Sequence, residues 1–329
     1  RAVQLDPAFA LAYTALAREH AHVMNTGIER TEDHAVKAKA AVDRAFELQP
    51  DLPEAYLALG YYYYGCLRDY DQALEAYDIA ARSLPNRSEI LSYIGAIHRR
   101  QGHWAEGLDH LQRALELSPR DHNLCYEVGS TLVYLRRYQE ADEFYDRAIA
   151  LAPDEELSYA MKALTCSLRG DDAGQIRTIL ESMPGKREPF TQFGWYLLEL
   201  GEGNLEEALN HAASIQVESF ALSGDYHTKA GFIGLVYRLM GEAELADEAY
   251  ESARDVLERE IAARPEDGRI HSALGLIYLA LNREEDAIRE AQLAVEMIPV
   301  AEDAVQGPSL VYNLALVYRY LGEYEAALD

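Results

Sequence analysis

Cysteine is scarce in this 329-residue chain, with only Cys66, Cys125 and Cys166, far apart and odd in number. That excludes a disulfide framework and disfavours a zinc site, and it fits a reducing, cytoplasmic setting. Positive charge is short: 30 basic residues face 56 acidic ones, a formal net charge of −26. Such a field repels phosphate backbones and anionic lipid, so neither nucleic acid nor a membrane is expected as partner. No apolar run approaches the roughly 18–20 residues that span a bilayer. Phenylalanine is rare, with seven residues against 23 tyrosines. Tyrosine suits half-buried positions where the ring packs and the hydroxyl reaches a polar partner. Glycine (21) and proline (11) are also few, as suits helices joined by short turns.

The few prolines are regularly placed. Pro50 to Pro85 is 35 residues, Pro85 to Pro119 and Pro119 to Pro153 are 34 each, and Pro265 to Pro299 is 34. Within this period the residue types recur. With Ser88 as position 1, Leu91 is 4, Ile94 is 7, Gly95 is 8, His98 is 11, Gly107 is 20, Leu111 is 24, Ala114 is 27 and Pro119 is 32. The next unit aligns as Cys125, Val128, Gly129, Leu132, Ala141, Tyr145, Ala148 and Pro153. The unit before gives Tyr56, Leu59, Gly60, Tyr63, Ala73, Tyr77, Ala80 and Pro85, with one extra residue in its turn. The unit ending at Pro299 gives His271, Leu274, Gly275, Tyr278, Ala287, Ala291 and Ala294. Positions 4, 7 and 11 share one face of a helix. Small residues at 8 and 20 let two helices approach closely, and proline at 32 stops the second.

Large residues at 4, 7, 11 and 24 with small ones at 8, 20 and 27 resemble the tetratricopeptide-repeat pattern, whose period is 34. The resemblance implies an all-α fold, an alpha-alpha superhelix of antiparallel helix hairpins. A single array over 1–329 with about eight repeats is expected, regular at 51–153 and 266–299 and irregular at 154–264. The first unit carries extra residues around Asn25–His34. The unit after Pro153 has Lys162 where leucine is expected, the unit with Gly194 and Ala208 has a lengthened turn, and Glu258–Arg264 adds about two turns to another second helix. Both ends cut across expected helices, which suggests a segment of a longer chain. The Gly60–Asp121 stretch also resembles repeat regions of bacterial multidomain signalling proteins.

Such arrays present positions 2, 5, 9, 12 and 13 of each first helix to a groove. Here that implies a peptide- or partner-binding site including Tyr61, Tyr64, Arg99, Arg100, Tyr126 and Tyr134. Aromatic residues and arginine dominate binding hot spots. In the run Tyr61–Tyr64, Tyr63 is expected in the core, while Tyr61 and Tyr64 face the groove or pack. Arg99 and Arg100 suit either an acidic peptide group or an intramolecular carboxylate. The family's clamp for chaperone carboxyl termini is not matched, since Ser92 and Ala96 stand where lysine and asparagine are needed.

Histidines give no ligand spacing: His20 and His22 point to different helix faces, and His98 and His103 straddle a turn. Glu242–Asp267 holds ten acids and three bases but lacks a calcium-loop spacing. No phosphate loop, nucleophile elbow or His-Glu-x-x-His occurs, so no catalytic residue, metal or cofactor is expected. The expected function is a protein-interaction scaffold. The alternatives are a peptide-sensing regulatory arm of a larger signalling protein, and the substrate-recognition region of an enzyme whose catalytic domain lies elsewhere.

Overall fold

A computed structural model describes residues 2–26, 32–184, 189–222 and 224–328. A short helix α1 (Ala2–Leu5) is followed by paired helices. These are α2 (Ala10–Thr26) with α3 (Glu32–Leu48), α4 (Pro53–Tyr62) with α5 (Tyr70–Ser83), and α6 (Ser88–Arg100) with α7 (Trp104–Leu117). The pairs α8 (His122–Tyr134) with α9 (Tyr138–Leu151), α10 (Glu156–Arg169) with α11 (Ala173–Ser182), and α12 (Pro189–Glu202) with α13 (Leu205–Ser214) continue the series. Two strands, β1 (Ser219–Leu222) and β2 (Asp225–Thr228), interrupt it. Then come α14 (Lys229–Met240) with α15 (Ala243–Ala263), α16 (Gly268–Ala280) with α17 (Glu284–Met297), and α18 (Gly307–Leu321). Contacts divide the chain into two compact units, 1–99 with 103–120, and 100–102 with 121–329. The centre of the expected insertion at Asn25–His34, residues 27–31, lies outside the described residues.

The punctuation follows from the sequence. Pro85, Pro119, Pro153, Pro265 and Pro299 each stand two residues beyond a helix end. Two residues after Pro119 and Pro265, an aspartate caps the next helix. Asp121 accepts from the N–H groups of Asn123 (2.9 Å) and Leu124 (3.3 Å), and Asp267 from that of Arg269 (3.2 Å). Position 8 must be small because the partner helix arrives there. A Cβ on Gly129 would stand 2.9 Å from the Tyr145 ring, and one on Gly60 2.5 Å from Tyr77. The facing large residues are the core itself: Tyr77 and Tyr145 are fully buried.

The irregularities have local causes. The extra residue between Pro50 and Pro85 is taken up by a π turn, Tyr63–Leu67, at the end of α4. Lys162, replacing an expected leucine, pairs with Asp146 on α9. The turn expected to be long after Gly194 is short. Its extra residues extend α12 to Glu202, so Gly201 is helical and only Gly203 turns (φ 80°). The long second helix is present as the 21-residue α15.

The ribbon is the departure from an all-helical reading of 154–264. Its strands pair antiparallel in the register Ser219↔Thr228, Phe220↔His227, Ala221↔Tyr226 and Leu222↔Asp225. Gly224, with φ of 96°, supplies the left-handed backbone at the connection.

Candidate binding surface

In the first unit, tyrosines of α4, α5 and α6 form a stack. Tyr61 stacks on Tyr93 with ring centroids 4.7 Å apart, and its hydroxyl lies 3.1 Å from Nδ1 of His22. Tyr93 stacks in turn on Tyr77, 5.5 Å away. Burial, aided by the Glu89 carboxylate, pushes the Tyr93 phenol up to about 12. Arg18 of α2 pairs with Glu89 of α6. This packing leaves Tyr61 and Tyr64 only 4% and 7% exposed, while Tyr63, expected in the core, is half-buried. The π turn begins at Tyr63 and shifts the helical register beyond it. Arg99 is half-buried on α6.

The other three residues of the sequence-derived site belong to the second unit. Arg100 is committed to Asp303, a buried carboxylate that also accepts from the N–H groups of Val305 and Gln306 at 3.0 Å each. An intramolecular carboxylate therefore takes up this guanidinium. Tyr126 is half-buried, 6.2 Å from the Tyr145 ring, and Tyr134 is 38% exposed. The six residues thus divide three and three between the units, and each set is described within its own.

The histidines form no ligand group. Nδ1 atoms of His20 and His34 face each other at 3.0 Å, and His98 stacks on His110 at 5.3 Å. Burial lowers the proton affinity of His20, His98 and His110. Among the described residues, no cluster of three or more His, Cys, Asp or Glu could hold a metal ion. No helix among them is long and apolar enough to cross a membrane.

The ribbon builds the surface that sequence reasoning missed. One side carries Phe220 and His227, packed against Phe193 of α12 and Phe232 of α14 with centroids 5.1–5.8 Å apart for Phe193–Phe220, Phe193–Phe232, Phe193–His227 and Phe220–His227. Burial there pushes His227 down to about 4. The other side carries Tyr226, whose hydroxyl meets Ser219 Oγ at 2.9 Å and accepts from Arg264 Nη2 at 2.7 Å. Ser219 also donates to Glu260 at 3.2 Å. At the ribbon's tip, Asn313 of α18 donates to Asp225 at 3.4 Å and to Ser272 of α16 at 3.0 Å. The ribbon therefore braces α12, α14, α15, α16 and α18 together.

Beside it lies a cavity of about 550 Å³. Phe232 and Leu235 of α14, Leu276 and Ala280 of α16 and Tyr320 of α18 line it, with Tyr226, His227 and Thr228 of β2 as one wall. Leu235 and Tyr320 of its lining are 39% and 69% exposed. Arg238 crosses one edge, bonded to Asp247 at 2.6 Å. A smaller cavity of about 260 Å³, lined by Phe190, Phe193 and Leu222 among others, lies on the ribbon's other side. A faint alternation, Ser219-Phe220-Ala221-Leu222 before Ser223-Gly224-Asp225 and Tyr226-His227-Thr228, was the available signal for this hairpin.

Comparison with known proteins agrees with the repeat reading. The tetratricopeptide-repeat family model matches residues 67–122, 94–156 and 238–304. The chain is 29% identical over 155 residues to anaphase-promoting complex subunit 3 of Schizosaccharomyces pombe, covering 47% of this chain and 22% of that protein. It is 26% identical over 154 residues to the BBSome complex member BBS4 of Xenopus tropicalis, covering 46% and 30%. The chain thus spans less than a third of the length of these relatives. Among solved structures, yeast Tom70 superposes with a TM-score of 0.60 at 15% identity, over 89% of this chain and 60% of that one. A tetratricopeptide repeat protein from Parabacteroides merdae superposes at 0.53 and 16% identity, over 84% and 99%. At these identities the structures establish the fold alone.

Proposed function

We propose that this chain, a tetratricopeptide-repeat protein, is an interaction scaffold that takes a segment of a partner protein into the cavity between α14, α16 and α18. The observation that carries this is the cavity itself: open, apolar, and set on the first helices of three successive repeats. Its volume lies within the roughly 300–1,000 Å³ of ligand pockets. Apolar side chains held in water around it gain about 25 cal/mol per Å² when a partner covers them. The names of two relatives, which describe members of the anaphase-promoting complex and the BBSome, support a scaffold over an enzyme.

The test is a displayed library of short random peptides, selected on the whole chain and titrated against wild type and Leu235→Glu. Leu235 is solvent-accessible, so the variant should fold. Selected peptides should lose about tenfold or more in affinity, since a charge in an apolar contact costs at least ~1.4 kcal/mol. Undiminished binding would place recognition elsewhere. A second reading is favoured by Tyr134, an exposed aromatic on α8 with half-buried Tyr126 on the same helix. Selective loss of binding in Tyr134→Ala would support it.

A further inference from the structure

The charges around the cavity are one-sided. It ends at the turns that close α14, α16 and α18, where Arg238, Asn282, Glu284 and Leu321 line its edge. These turns and the first turns of α15 and α17 that follow carry Glu242 and Glu244, then Glu284 and Glu285, and the segment after α18 carries Glu323 and Glu325, all exposed. None of these six carboxylates is in an ion pair among the described residues. The basic residues nearby are engaged differently. Arg238 pairs with Asp247, Arg283 pairs with Asp286, and Arg289 pairs with Asp286 and Glu290. Arg319 lies over the Tyr320 ring. An apolar cavity is therefore bordered at one end by three steps of unneutralised negative charge.

We infer that the segment received here is basic: apolar side chains entering the cavity between α14, α16 and α18, flanked by lysine or arginine that meets the carboxylates of the three turns. This rests on the proposed docking in that cavity and adds the chemistry of what docks. The ribbon wall and the charged turns make different contributions. Tyr226, His227 and Thr228 limit how far an apolar anchor extends along α14 and α16. The carboxylates at the opposite end act over about 8–10 Å at physiological salt, so they select by charge and speed encounter. An acid-flanked segment would instead meet both these turns and the chain's net charge of −26.

The probes are three synthetic peptide libraries sharing one set of apolar anchors, flanked by Lys/Arg, by Ser/Gln or by Asp/Glu. Each is titrated by fluorescence anisotropy at about 0.05 M and about 0.5 M salt. The Lys/Arg library should bind about tenfold or more tighter at low salt, and the advantage should shrink at high salt. In the variant Glu242→Gln, Glu244→Gln, Glu284→Gln, Glu285→Gln, the advantage should fall to about threefold or less, with the circular dichroism spectrum unchanged. Equal binding of the three libraries, still abolished by Leu235→Glu, would overturn the basic partner and leave the docking site standing. Binding indifferent to Leu235→Glu in every library would overturn both.

Discussion

At the scale of single residues, the positions most legible in the sequence are those fixed by backbone approach. Gly129 recurs at position 8 because a Cβ there would stand 2.9 Å from Tyr145. Gly129→Leu should therefore destabilise the protein by about 1–3 kcal/mol through overpacking. That exceeds the roughly 0.8 kcal/mol of helix propensity gained by removing glycine. Arg137→Ala, which removes an exposed pair with Glu140, should cost about 0.5 kcal/mol or less. Denaturant melts should separate the two midpoints, and coincident midpoints would mean the helix faces are misplaced. Tyr61 and Tyr64 were less legible, because their burial depends on Tyr93 and His22 in other hairpins.

His271, at position 4 of its repeat, carries titratable chemistry into a buried site. Its Nδ1 lies 2.7 Å from Glu290, and both side chains are largely buried. The hydrogen bond to Glu290 raises His271 above its usual 6.5, and the bond from His271 lowers Glu290 below 4.5. The histidine's contribution is complete below pH 6.5 and is lost as pH rises through its folded value. The glutamate's is complete above pH 4.5 and is lost as pH falls through its folded value. The pair should therefore stabilise most between pH 4.5 and 6.5. Stability measured upward from that window should fall less in Glu290→Gln than in wild type. Parallel curves would show that the pair is not linked to folding.

At the scale of elements, helix lengths were readable from proline spacing, but what fills the irregular spacings was not. The long α15 and the ribbon are one device. The extra turns carry Glu260, and Arg264 follows them; these hold Ser219 and Tyr226. Four-residue strands are too short to reveal their period inside a tract of helices. The turns that close the first helices also share a rule. A left-handed residue sits at each of Arg68, Gly102, Arg136, Gly170, Gly203, Gly241, Asn282 and Gly322. A non-glycine residue there costs about 1–2 kcal/mol. Arg136→Gly should therefore stabilise by roughly 0.5–1 kcal/mol after the entropy of a freer unfolded chain is subtracted. An unchanged or lower denaturation midpoint would contradict this reading of the turn.

At the scale of the whole molecule, the repeats were evident from the sequence while the candidate site was not. A 34-residue period reports what recurs, and the cavity depends on what does not: the ribbon, the long α15 and the particular apolar side chains that α14, α16 and α18 bring to it. The most direct test places a photo-cross-linking amino acid at position 235, and separately at position 134, and irradiates each with the tightest selected peptide. Adducts should form from position 235, with the peptide's apolar anchors attached, and few or none from position 134. Adducts from position 134 alone would contradict it and move recognition to α8.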